Sequence, residues 1–295
     1  MDTKVTRRRA TLALATGPIV ASTAASTSLA GDKQDFRLKY ILASAMYGRI
    51  PINTVVEQVR ASGADRIDIW RQPHANHWEQ IGGLGEQTFL ELLSRHKVKL
   101  GAVTFWDRKY DDAIRFTSRL GGRLIVTGFV PKRAQLTTFV RQLEPHAELA
   151  AKHNITIGIE NHGASFDEIR EFATAVKKWK HVGVALAPYH LPQDASQLAK
   201  LIEDLGTQLA FFYAWQHGMG CHKKLPKEQE LMQLPGRGEL DFTPLLQALK
   251  KIHYTGWTEI FMHPVPRGIP ILETARKVTE EVNRCRAYLR KQLAT

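Results

Sequence analysis

The chain has 295 residues, 43% of them hydrophobic and 24% charged, with a formal net charge of +12. That is the composition of an ordinary soluble globule with apolar residues enough for a large core. Two cysteines, Cys221 and Cys285, could pair in an oxidising compartment but fix no disulfide framework, and the basic surplus permits acidic ligands or nucleic acid without requiring either.

Residues 1–30 stand apart from the rest. Thr6, Arg7, Arg8 and Arg9 open a weakly hydrophobic run rich in Ala and Thr, which ends in the small-residue cleavage pattern Ser28-Leu29-Ala30. The segment resembles a twin-arginine export signal, with Ala10 where an aromatic usually follows the arginine pair, and implies a periplasmic or extracellular protein. A membrane anchor is disfavoured, because the run 10–25 is short and interrupted by Gly17 and Pro18. Lys4, Arg7, Arg8 and Arg9 against Asp2 carry +3 of the charge, leaving +9 on residues 31–295, which are expected to form one domain.

Within that domain short apolar runs alternate with amphipathic stretches. Strands are predicted at 38–44, 66–70, 99–104, 123–128, 155–160, 182–187, 209–215 and 256–261. Helices are predicted at 53–61, 87–96, 111–120, 136–153, 166–178, 195–205, 243–252 and 272–289. Stop signals such as Ser62-Gly63, Gly121-Gly122 and Gly206 close several of them. Eight such units make an α/β (β/α)8 barrel. The doubly wound alternative needs a Gly-rich first crossover, which Tyr47-Gly48-Arg49 does not supply.

Function in such a barrel sits at the carboxyl ends of the strands. Strand five ends in Glu160, Asn161 and His162, strand six in Ala187-Pro188-Tyr189-His190, strand seven in Trp215-Gln216-His217, and strand eight in Thr258-Glu259 with His263 beyond. Carboxylates and imidazoles from separate strands are the donor set of a divalent ion, Mn²⁺ first, with Zn²⁺, Co²⁺ or Mg²⁺ as alternatives.

These residues carry a resemblance to the xylose-isomerase-like barrels, the sugar phosphate isomerases and epimerases. It rests on I-G-I-E-N-H at 157–162, V-A-L-A-P-Y-H at 184–190, W-Q-H at 215–217, L-P-G-R-G-E-L-D-F at 234–242 and Y-T-G-W-T-E-I at 254–260. The resemblance implies a metal held by Glu160, His217 and Glu259, substrate contact by His190, and Arg237 close to the sugar. It also marks a departure: Ala187 stands where the family places a metal-binding Asp. His190 or Asn161 moving into the vacancy, a three-ligand site, and loss of the metal are the alternatives.

The chemistry this implies is proton abstraction next to a carbonyl through an enediolate, with Glu160 and Glu259 as the acid/base pair and His162 and His190 orienting hydroxyls. Trp70, Trp106 and Trp215, with Tyr47 and Phe105, follow strand ends and suit the apolar face of a sugar ring, a lid over the core or an interface. The link 216–241 is long enough to be a lid. The expected substrate is a small neutral sugar, keto-sugar or glycoside; a homo-oligomer is left open. Two rivals are a non-catalytic carbohydrate-binding barrel with a degenerate metal site and a nuclease, the latter disfavoured because the basic residues are scattered rather than interleaved with aromatics.

Overall fold

Apolar runs bounded by Gly and polar residues form eight short strands in the computed structural model, which describes residues 36–71 and 73–295. Residues 1–30, expected to form an export signal, lie outside the described residues. The strands are β1 Lys39–Ala43, β2 Arg66–Arg71, β3 Lys99–Phe105, β4 Leu124–Thr127, β5 Thr156–Glu160, β6 Val182–Leu186, β7 Leu209–Ala214 and β8 Trp257–Ile260. Each pairs in parallel with the next, and β8 closes on β1. The expected (β/α)8 barrel is the fold.

Local chemistry explains where the surrounding helices start. Helix Phe166–Val176 opens on a capping box, with the Ser165 hydroxyl accepting from the Glu168 amide and the Glu168 carboxylate accepting from the Ser165 amide. The Asp194 side chain accepts the Ser196 and Gln197 amides at the start of Ala195–Leu205. Two differences from the sequence expectation follow the same logic. A separate helix, His77–Leu84, precedes Glu86–Arg95, and Gly85 at φ +85° makes the break between them. The last helix is Ala275–Leu293, beginning where the Thr274 hydroxyl accepts the Lys277 amide at 3.2 Å.

Strand register sets the levels inside the barrel. Alternation sends Ile67 and Ile69 of β2 toward the helices and Asp68 and Trp70 inward. Across the ladders Asp68 stands level with Ala102, Trp70 with Thr104, and Tyr213 with Glu259. The carboxyl end of the barrel is therefore layered, one polar level below one aromatic level.

Candidate functional site

On the lower of those levels lie Asp68, Tyr213 and Glu259, all buried. Asp68 Oδ2 accepts the Thr104 hydroxyl at 2.6 Å. Asp68 Oδ1, both Glu259 oxygens and the Tyr213 hydroxyl have no hydrogen-bond partner among the described residues. Burial pushes the Asp68 carboxyl up to about 7, and it drives Glu259 well above the carboxylate range, with the nearby Asp68 charge adding to the effect. The Tyr213 phenol is raised by burial and then by the charges of Glu160, Glu259 and Asp68. Desolvation thus favours the protonated form of each.

Two residues further along each strand comes an aromatic ring. Trp70 stacks on Phe261 with centroids 4.4 Å apart and planes 9° apart, and Trp215 meets Phe261 edge-on at 4.9 Å. Tyr189 stacks on Trp215 at 3.9 Å. His74 and His263 pack 4.7 Å apart beside them, and burial lowers their pKa values to about 2 and about 3. These rings, all buried, seal Asp68 and Glu259 from solvent.

The opposite half of the mouth is open. Glu160, at the end of β5, is 2% exposed and accepts from His190 Nε2 at 2.9 Å, while its Oε2 has no partner among the described residues. The His162 and His190 rings lie 4.3 Å apart, Phe129 lies 4.8 Å from His162, and Trp106 lies 5.0 Å from Phe129. Phe129 is 45% exposed, so these side chains from β3 to β6 form an aromatic and imidazole trough facing solvent. Desolvation among the rings, with His190, His222 and Arg267 adding positive charge nearby, lowers His162 to about 4.

Sequence reasoning placed Glu160, His162, His190 and Trp106 on one rim, and the structure brings them together. Trp70 and Trp215 belong to the buried seal, not to an exposed sugar platform. Glu259 lies beneath that seal, fully buried, and the Glu160 charge is near enough to add to the rise in its pKa. His217 is exposed, its ring 4.9 Å from Tyr189 and its amide donated to Gln193. Arg237, expected near a sugar, instead donates from Nε and Nη2 to the buried Glu281 carboxylate at 2.7 Å each, tying its turn to the last helix. The 216–241 link is bolted down: it contains helix Lys227–Glu230, Glu230 accepts the Val265 amide, and the Cys221 thiol lies 2.8 Å from the Tyr189 hydroxyl and 3.0 Å from His263 Nε2. Both cysteines are free thiols.

Asp68, Tyr213 and Phe129 were missed. The signal for Asp68 was available, since it is an acid in the inward phase of R-I-D-I-W.

The donor set implied for a metal does not fit this arrangement. Ala187 contributes only a methyl group, and its backbone is bracketed by Asn161, whose Oδ1 accepts the Ala187 amide at 2.6 Å and whose Nδ2 donates to its carbonyl at 3.1 Å. Asn161 is thereby engaged with backbone, and His190 with Glu160. Among the described residues no three His, Cys, Asp or Glu side chains are grouped so as to hold a metal ion. No step proposed below runs through one.

A closed parallel barrel with acids and imidazoles at the carboxyl ends of its strands defines a class, and comparison with known proteins agrees. The chain belongs to the xylose isomerase-like TIM barrel family, whose profile matches residues 56–287. Similar solved structures include D-psicose 3-epimerase from Clostridium cellulolyticum H10 with D-tagatose, at 16% identity over 87% of this chain and 99% of that one, TM-score 0.65. The IolI protein with a bound zinc atom is 17% identical over 87% and 98% of the two chains, TM-score 0.67. A probable 3-DHS dehydratase, AsbF from Bacillus anthracis, is 13% identical over 83% and 97%, TM-score 0.61. No curated protein sequence matches it.

Proposed function

We propose that this protein is a sugar isomerase that moves a proton from the carbon next to a carbonyl to the carbonyl carbon, with the Glu160–His190 pair as its base. The observation that carries the proposal is the 2.9 Å contact between a buried carboxylate and a half-buried imidazole at the open side of the mouth. An ionised carboxylate only accepts, so His190 donates from Nε2 and keeps a basic lone pair on Nδ1. Glu160 fixes the ring and stabilises the imidazolium that forms when Nδ1 takes the proton. His162, neutral above about pH 4, retains one N–H to donate to the carbonyl oxygen as enediolate charge develops. The imidazolium then returns its proton to the former carbonyl carbon, while the proton of the adjacent hydroxyl passes to His162 and replaces the one that His162 gives to the carbonyl oxygen. Isomerisation needs this one carbon base with His162 relaying the proton between the two oxygens, whereas epimerisation needs a second acid on the other face, the place of Glu259 if the seal opens.

Support for a sugar comes from the trough of Trp106, Phe129 and His162, and from family neighbours that include sugar epimerases. A second reading, a carbohydrate-binding barrel without turnover, is favoured by Ala187 and by the sealing of Glu259. Proton nuclear magnetic resonance in D2O with a panel of ketoses and aldoses separates them. Deuterium entering at the carbon next to the carbonyl is the expected result; binding with no exchange across the panel leaves only the second reading. We further propose export by residues 1–30 and a preference for unphosphorylated sugars, tested by a reporter fusion and by including sugar phosphates in the panel.

A further inference from the structure

A cavity of about 560 Å³ opens beside the trough, lined by Arg49, Arg71, Pro73, Ala75, Asn76, Glu79 and Asp107. Its size is that of a small-molecule site. The backbone behind Arg49 is held by close packing. Gly48, just before Arg49, has φ +57°, and a Cβ there would lie 2.4 to 2.7 Å from the backbone of Ile269, Pro270 and Gly268. Only glycine permits that approach, which docks the segment after β8 onto the segment after β1, with the Ile271 amide donated to the Met46 carbonyl at 2.9 Å. Gly268, at φ +88°, leaves clear the space beside the Arg49 guanidinium, since a Cβ there would lie 3.3 Å from Arg49 Nε.

The lining carries two guanidinium groups and two carboxylates. Arg71 pairs with Asp107 at 2.9 Å and lies over the Trp78 ring at 4.7 Å, which fixes its orientation. Arg49 and Glu79 have no ion-pair partner among the described residues. The charges balance, so nothing here selects a phosphate or carboxylate, which calls for surplus cation. Guanidinium donors and carboxylate acceptors in one lining suit a group that both donates and accepts at adjacent atoms, the vicinal hydroxyls of a neutral sugar. Position supplies the rest: Asp107 lines the cavity while its neighbour Trp106 packs on Phe129 in the trough, so one loop borders both.

We propose that this cavity is a subsite for a second, neutral sugar unit, so that the protein's ligand is a disaccharide or glycoside rather than a single sugar. The inference rests on the reading of the trough as a sugar site, but its test reads binding, not turnover. Calorimetry with the protein and D-fructose, a fructose-containing disaccharide, and glucuronate as the anionic probe is the experiment. The disaccharide is expected to bind at least about tenfold more tightly than the monosaccharide, a difference of about 1.4 kcal/mol. Arg49→Ala and Glu79→Gln, with unchanged melting temperature, are each expected to erase that gain. Equal affinity for the two sugars, a gain that survives both substitutions, or preference for glucuronate overturns the proposal. Tight disaccharide binding without solvent exchange would sink the isomerase reading and leave this one standing; no binding of any sugar sinks both.

Discussion

The two halves of the barrel mouth carry the same kind of residue in opposite circumstances. On the β5–β6 side Glu160 holds an imidazole that reaches solvent, while on the β2–β7–β8 side Glu259 and Asp68 lie under stacked rings. The difference originates two residues along each strand. After Glu160 comes the exposed His162; after Glu259 comes Phe261, after Asp68 comes Trp70, and after Tyr213 comes Trp215. Side chains two apart share a face of a strand, so the residue at that spacing decides whether the mouth above a buried acid stays open or is closed by a ring. A strand-end carboxylate is therefore only half a catalytic signal.

The largest effect that tests this contrast is on the open side. His190→Asn removes the proposed base and is expected to lower solvent exchange by at least about a hundredfold, the low end of general-base contributions, with little change in melting temperature. Exchange within tenfold of the parent protein would place the base elsewhere.

Restoring the family's acid probes the metal question. With Ala187 the donors are not assembled, so the parent protein is expected to bind Mn²⁺ weakly, and Ala187→Asp to tighten binding by about tenfold or more, since an added anionic oxygen favours a hard ion. Titration calorimetry checks it. Tight binding by the parent protein, or exchange abolished by a chelator, contradicts the misfit of the donor set.

Arg237 offers a smaller effect in stability alone. Its fork on Glu281 is partly exposed, so Arg237→Ala is expected to cost about 1 kcal/mol in chemical unfolding and to leave exchange unchanged. A severalfold rise in KM at unchanged stability would return Arg237 to the substrate.

The sealed side has a pH signature. The folded pKa of Asp68, about 7, lies above its ordinary 3.8, so the folded state holds the proton more tightly than the unfolded state. Its contribution to stability is complete below about pH 4 and is lost as pH rises through about 7. Melting temperatures across that window are expected to fall less steeply in Asp68→Asn than in the parent protein; parallel curves would show that Asp68 is not desolvated as described.

Much of this architecture was legible because it is periodic. Strand runs such as I-T-I-G-I-E and V-G-V-A-L, with helix stops at glycine, specify the barrel and place Glu160, His162 and His190 on one rim. What was not legible depends on distant partners. Arg237 finds Glu281 44 positions away, and the 216–241 link is pinned through Tyr189, His263 and Val265, so neither the ion pair nor the fixed loop has a local pattern. Asp68 is a different case: its inward phase was readable, but an acid inside an apolar run was taken as part of the strand and not as part of the site.

The contrast between the halves comes to a single comparison, the rate of deuterium incorporation from D2O in Glu160→Gln and Glu259→Gln. Gln keeps the size of each side chain, and at the sealed position it also matches the uncharged form that burial favours. Exchange is predicted to fall by about a hundredfold or more in the first and to stay within about threefold of the parent in the second. Loss in both would mean that the seal opens in turnover and the two carboxylates act as a pair; loss only in Glu259→Gln would contradict the account outright.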